Sequence, residues 1–109
     1  MFARILEFTP KTERRDELIR AIRQQVLPLM KTQPGFLELI PLVPDVARDK
    51  MVAISLWTER NAAEKYVHES FPEVDRILRP FLTGRFTVRM FKVETTVCHH
   101  FADSLTTAA

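Results

Sequence analysis

The chain has 109 residues, 46% hydrophobic and 28% charged, a composition that fits one folded domain and excludes a disordered or fibrous chain. Sixteen Lys and Arg against fourteen Asp and Glu leave a net charge of +2, scattered rather than clustered, so nucleic acid is not an expected partner. No apolar run approaches the roughly 20 residues that span a bilayer. The opening Met1-Phe2-Ala3-Arg4 has no charged leader before an apolar core, and the lone Cys98 cannot form an intrachain disulfide, so a cytoplasmic protein is expected.

Phe2 to Thr9 predicts a first strand. Its alternate sets, Phe2, Arg4, Leu6, Phe8 and Ala3, Ile5, Glu7, Thr9, both carry apolar residues, so both faces are expected to be partly covered. From Thr12 to Lys31 the period turns helical, with Leu18, Ile22, Val26 and Leu29 or Met30 on one side. Pro28 should kink the final turns, and Gln33-Pro34-Gly35 ends the helix. Phe36 to Val43 predicts a second strand, confined by Pro41 to an edge or a bulge. Met51 to Trp57 predicts a third, joined to the second by a short polar connection as an antiparallel hairpin.

Thr58 is the expected N-cap of a helix reaching His68 or Glu69. Ser70-Phe71-Pro72-Glu73 is a second start signal, for a short helix carrying Val74, Ile77, Leu78 and Phe81. A long last strand runs from Arg85 to about Val97, with continuation to Phe101 left open. Residues 102–109 are small and polar, the expectation for a frayed tail after a domain spanning 1–101. The order β-α-β-β-α-β predicts an α+β, ferredoxin-like fold: a four-stranded antiparallel sheet with helices on one face. Its other face would remain apolar, so a homodimer packed sheet to sheet is expected.

Gln33-Pro34-Gly35-Phe36-Leu37, Ser55-Leu56-Trp57-Thr58, Ala62-Ala63-Glu64-Lys65-Tyr66, Phe71-Pro72-Glu73-Val74 and Val88-Arg89-Met90-Phe91-Lys92-Val93 together resemble the antibiotic biosynthesis monooxygenase family of dimeric α/β barrels. The resemblance covers about residues 1–101. It implies a dimer whose subunits each keep a pocket between sheet and helices. It also implies, for some members, oxidation of phenolic or hydroquinone-like compounds by molecular oxygen with neither metal nor flavin. An electron-rich, deprotonated substrate reduces oxygen itself, so the protein need only take a proton, exclude water and hold the ring. Haem-degrading relatives use a strand-one Asn, a helical Trp and a haem-binding His; the matching positions here are about Leu6, Tyr66 and Arg76, which argues against haem.

Trp57 reads either as a core or interface anchor or as a pocket wall that stacks on a flat substrate. Tyr66 either orients a phenolic oxygen or buries its ring, and the resemblance favours the pocket. His68 is the candidate base by its reference pKa, against the plainer reading of a surface histidine. Asn61 either faces the sheet or helps a cap. Arg4 and Arg89 sit in apolar strands and require an acidic partner, with Glu7 or Glu38 available, or an anionic ligand. Cys98-His99-His100 suggests a metal, but neighbours on a strand point to opposite faces, so no metal site is expected. The chain has no H-E-x-x-H, C-x-x-C, P-loop or dinucleotide glycine pattern.

The reading is therefore a cofactor-independent, monooxygenase-like enzyme acting on a small aromatic or polycyclic compound. Tyr66 and His68 are its expected catalytic residues, and Trp57, Asn61 and Arg89 its expected substrate contacts. Two other classes stay open: a non-catalytic small-molecule binding protein, and a structural dimeric module of the same fold.

Overall fold

The computed structural model describes residues 1–46 and 49–98. Strand β1 (Phe2–Pro10) leads into a helical stretch made of α1 (Arg15–Ala21), a π-helical turn (Ile22–Val26) and α2 (Leu27–Lys31). Strands β2 (Phe36–Leu42) and β3 (Met51–Trp57) follow, then helices α3 (Arg60–Glu69) and α4 (Phe71–Leu78). A 3-10 turn (Arg79–Phe81) enters β4 (Leu82–Lys92), and a second such turn covers Thr95–Val97.

The strands form one antiparallel sheet in the order β2-β3-β1-β4, with all helices on one face. This is the expected α+β, ferredoxin-like arrangement. Pro41 lies in β2 at the sheet edge, where its missing N–H need not serve a ladder. The two central strands, β1 and β3, hold most of the sheet's buried residues.

Register fixes which side chains face the helices. Arg4 stands opposite Ser55 on β3 and Met90 on β4, while Leu6 stands opposite Ala53 and Val88. The even positions of β1 therefore turn inward, and Phe2, Leu6 and Phe8 join Leu18, Ile22, Val26, Trp57 and Tyr66 in the core. Ile5 stands opposite Ile54 and Arg89, on the far face.

Several local expectations are corrected. Thr58 does not cap α3. Its amide donates instead to the Gly35 carbonyl at 2.8 Å, and the extended Glu59 precedes the helix without a side-chain cap. Ser70 does precede α4, but its hydroxyl donates to Gln33 Oε1 at 2.8 Å rather than to its own helix. The helix before Pro28 widens into the π turn two to six residues upstream, a stretch that includes the Gln24 carbonyl left without its donor by the proline. Strand β4 begins three residues early and ends at Lys92, because Glu94 turns the chain into the 3-10 segment. The tail at 102–109, His99 and His100 lie outside the described residues; Cys98 lies inside them, its thiol directed at the Glu94 carbonyl at 3.5 Å.

Gly35 joins the two halves of the fold. It has φ +81°, and a Cβ there would lie 2.5 Å from Ala62 Cβ and 2.7 Å from Thr58 Oγ1. Gly84 has a similar φ of +76° but open space around it. Gly84→Ala is expected to cost about 1 kcal/mol from backbone conformation alone, whereas Gly35→Ala should cost about 2–4 kcal/mol because α3 must also retreat. Urea unfolding of the two variants measures the difference, and equal losses would remove the close approach as an explanation.

Candidate functional site

A chain of aromatic contacts runs beneath the helices. Phe36 meets Trp57 edge-on at 5.5 Å, Trp57 meets Tyr66 at 4.9 Å, and Tyr66 meets Phe71 at 6.2 Å. Phe71 meets Phe86 at 5.5 Å, and Phe86 meets Phe8 at 5.8 Å. Such pairs contribute roughly 0.5–1.5 kcal/mol each beyond the area they bury. Trp57 has no solvent exposure, and its indole N–H donates to Ser55 Oγ at 2.9 Å. Its polar atom is thus satisfied within β3.

Beside this chain lies a cleft between sheet and helices. Arg4, Leu6 and Phe8 of β1 form its floor with Leu39 and Ala53; Ile22, Val26 and Met30 form one wall; Tyr66, Phe71, Val74 and Leu78 form the other. The first helical stretch therefore lines the cleft with three residues beside the second region's four. The π turn begins at Ile22 and ends at Val26, so both of its terminal side chains line the cleft. The cleft measures about 390 Å³ with its mouth included. A bound ring would displace side chains, and the flexible Met30 is the lining residue best suited to yield.

Among the described residues, Arg4 and Tyr66 are the only polar ones that line the cleft. Arg4 is 3% exposed, its Nε has no hydrogen-bond partner, and no ion pair among the described residues includes it. The carboxylates proposed to neutralise it point elsewhere. Glu7 turns to the far face with Ile5, and Glu38 accepts from the Leu39 amide at 3.0 Å. The guanidinium instead lies 4.2 Å from the Phe71 ring centroid and 5.8 Å from that of Tyr66, an arrangement in which ring faces partly replace lost hydration. Burial pulls the Arg4 pKa down from its ordinary value, with the Tyr66 charge acting the other way. Burial also pushes the Tyr66 hydroxyl up to about 12, with Arg4 opposing.

The structure does not gather the expected site residues at one point. Tyr66 lines the cleft, and Trp57 supports it from behind. Asn61 and His68 are exposed on α3 and do not line the cleft, because the helix turns Ala63 and Tyr66 inward instead. Arg89 is exposed opposite Ile5, with Phe91 4.9 Å away, on the far face of the sheet. Arg4 takes the interior position that the sequence also offered to Arg89. Strand parity separates them: the β1–β4 register pairs Arg4 with Met90, not with Arg89.

Comparison with known proteins places these features in a family. The sequence model for antibiotic biosynthesis monooxygenases matches residues 1–71. The chain belongs to that family. The match ends at the first residue of α4, so β1, the helical stretch before β2, the hairpin and α3 all lie inside it. A comparison with curated protein sequences gives no match. Among solved structures, the chain is similar to SnoaB, a cofactor-independent oxygenase from Streptomyces nogalater, at 19% identity and a TM-score of 0.73, covering 89% of this chain and 96% of that one. A putative family member from Nitrosomonas europaea shares 13% identity with a TM-score of 0.71 over 86% and 99% of the two chains. A variant of MhuD holding manganese protoporphyrin IX shares 18% with a TM-score of 0.72 over 86% and 95%. At these identities the likeness establishes the fold. Among the described residues, no histidine, cysteine or carboxylate lines the cleft.

Tyr66 is the only tyrosine, so an ultraviolet titration reads its ionisation alone. The midpoint is expected near pH 12, and one near 10 would show the ring to be solvated. The linkage has a definite sign. Below pH 10 both folded and unfolded chains keep the proton. Between pH 10 and about 12 only the unfolded chain loses it, so stability should fall by on the order of 2–3 kcal/mol across that window.

Proposed function

We propose that this family member is a cofactor-independent monooxygenase-like enzyme acting on a small aromatic compound. The observation that carries the reading is the apolar cleft with Tyr66 at its wall, in a chain that belongs to the antibiotic biosynthesis monooxygenase family. Its chemistry would be that of an electron-rich phenol. When such a ring becomes a quinone, one oxygen atom bonds to a ring carbon that carried hydrogen. The second leaves as water, and all four electrons come from the substrate, so no outside reductant is required. The protein's part is to hold the ring, exclude water and favour the ionised substrate. With its pKa held high, Tyr66 stays protonated and serves as a hydrogen-bond donor to the substrate oxygen rather than as a base.

A second reading has its own observation: among the described residues, no imidazole or carboxylate lines the cleft. A small-molecule binding protein without chemistry needs none. Oxygen uptake by the purified protein against hydroquinones, phenols and polycyclic aromatics separates the two. Uptake above the protein-free rate, reduced on the order of 10²-fold by Tyr66→Phe, is the enzyme's signature. Quenching of Trp57 fluorescence by one of these compounds, transmitted through the Tyr66 stack and without uptake, is that of the binding protein.

The same reading includes a homodimer. The far face carries Ile5, Ile40, Leu42, Val52, Ile54 and Phe91, half-buried or exposed in one copy, and a second sheet of the same pattern would cover them. Sedimentation equilibrium at micromolar concentration should give twice the chain mass. A stable monomer would leave that face without its proposed partner.

A further inference from the structure

Arg4 is an expensive residue at its position. Its side chain is buried on the inner face of a central strand, with no carboxylate beside it among the described residues and with its Nε unsatisfied. A buried charge without a partner lowers stability, and an apolar side chain of the same size would fit the surrounding Leu6, Phe71 and Val74 better. The guanidinium also has only donors to offer. The second polar lining group, Tyr66, stays protonated at neutral pH and can donate as well. Against ten apolar lining residues, the cleft thus presents donors from two neighbouring side chains, with the Arg4 guanidinium 5.8 Å from the Tyr66 ring.

We propose that Arg4 is the anion-binding residue of the cleft, and that the natural ligand enters as a phenolate, enolate or carboxylate carried on an otherwise apolar ring. The proposal rests on the reading of this cleft as a small-molecule site and names the chemical class that the site selects. The oxyanion meets the Arg4 guanidinium and the Tyr66 hydroxyl, while the ring lies between Phe71 and the wall formed by Ile22, Val26 and Met30. An anion there completes the ion pair that Arg4 lacks, so the neutral acid gains much less from the same place. The arrangement also accounts for a cleft without a base: a cation fixed at the oxyanion position lowers the ligand's own pKa, and the proton leaves to solvent.

The test uses the full chain with 4-nitrophenol, whose acid and anion are both present near neutral pH and differ in colour, and with nitrobenzene as the uncharged ring. The bound phenol should titrate at least one pH unit below the free compound, equivalent to about a tenfold preference for the anion. Nitrobenzene should bind at least tenfold more weakly than the phenolate. Arg4→Met should abolish the shift while leaving a thermal midpoint equal to or above that of the parent, which shows the variant folded. Arg4→Lys should retain part of the shift, because the charge survives without the planar fork.

Equal binding of nitrobenzene and phenolate with an unshifted titration would overturn the role of Arg4 and leave the small-molecule site standing. A shift that persists in a folded Arg4→Met protein would likewise overturn it. If neither compound binds, the small-molecule reading fails and the anion site fails with it.

Discussion

The fold depends on Trp57. It is fully buried at the end of β3, its indole N–H is satisfied by Ser55 on the same strand, and its ring touches both Phe36 of β2 and Tyr66 of α3. One side chain therefore ties the edge strand, a central strand and the second helical region together. The turn at Gly35 allows this approach, since its missing side chain lets α3 close over the β2 end while its carbonyl takes the Thr58 amide. With α3 fixed in this way, the orientation of Tyr66 follows, and so does the wall of the cleft.

Against this well-satisfied frame, Arg4 is the exception. Four surface cations have acidic partners: Arg14 with Glu17, Arg60 with Glu64, Arg76 with Glu73 and Arg79 with Asp75. These exposed pairs contribute little stability. Among the described residues, no acid lines the cleft beside Arg4. Polar groups that break the local rule of burial concentrate where a protein meets a ligand, because the ligand completes them. The aromatic faces of Phe71 and Tyr66 make the free state tolerable without cancelling the charge.

The helical stretch before β2 adds a second irregularity at the same place. The π turn at Ile22–Val26 carries two lining residues at its ends, and Pro28 follows immediately. Ile22, Val26 and Met30, four residues apart, share the face of this stretch that forms one wall. The far side of the sheet has no such features. Its apolar positions alternate along the strands, and the polar exceptions, Glu7, Glu38 and Arg89, are spread among them.

The sequence by itself determined the element order, the antiparallel hairpin, the edge position of β2 and the ferredoxin-like class. Those follow from local periodicity and from prolines and glycines that break it, each readable within a few residues. It also marked Tyr66 and Trp57, because a lone large aromatic in an amphipathic helix or at a strand end has few places to go. Tertiary structure decided the rest. Arg4 and Arg89 look alike in sequence, a cation within an apolar strand, and only the pairing of β1 with β4 sends one inward and the other outward. Asn61 and His68 share a helix with Tyr66, yet the angle at which α3 meets the sheet excludes both from the cleft. Periodicity put Ile22, Val26 and Met30 on one side of the first helical stretch, but their place in the cleft wall required a long-range approach to the sheet. Register and docking angle are set by contacts between residues distant in the chain, and those contacts chose which candidates became a site.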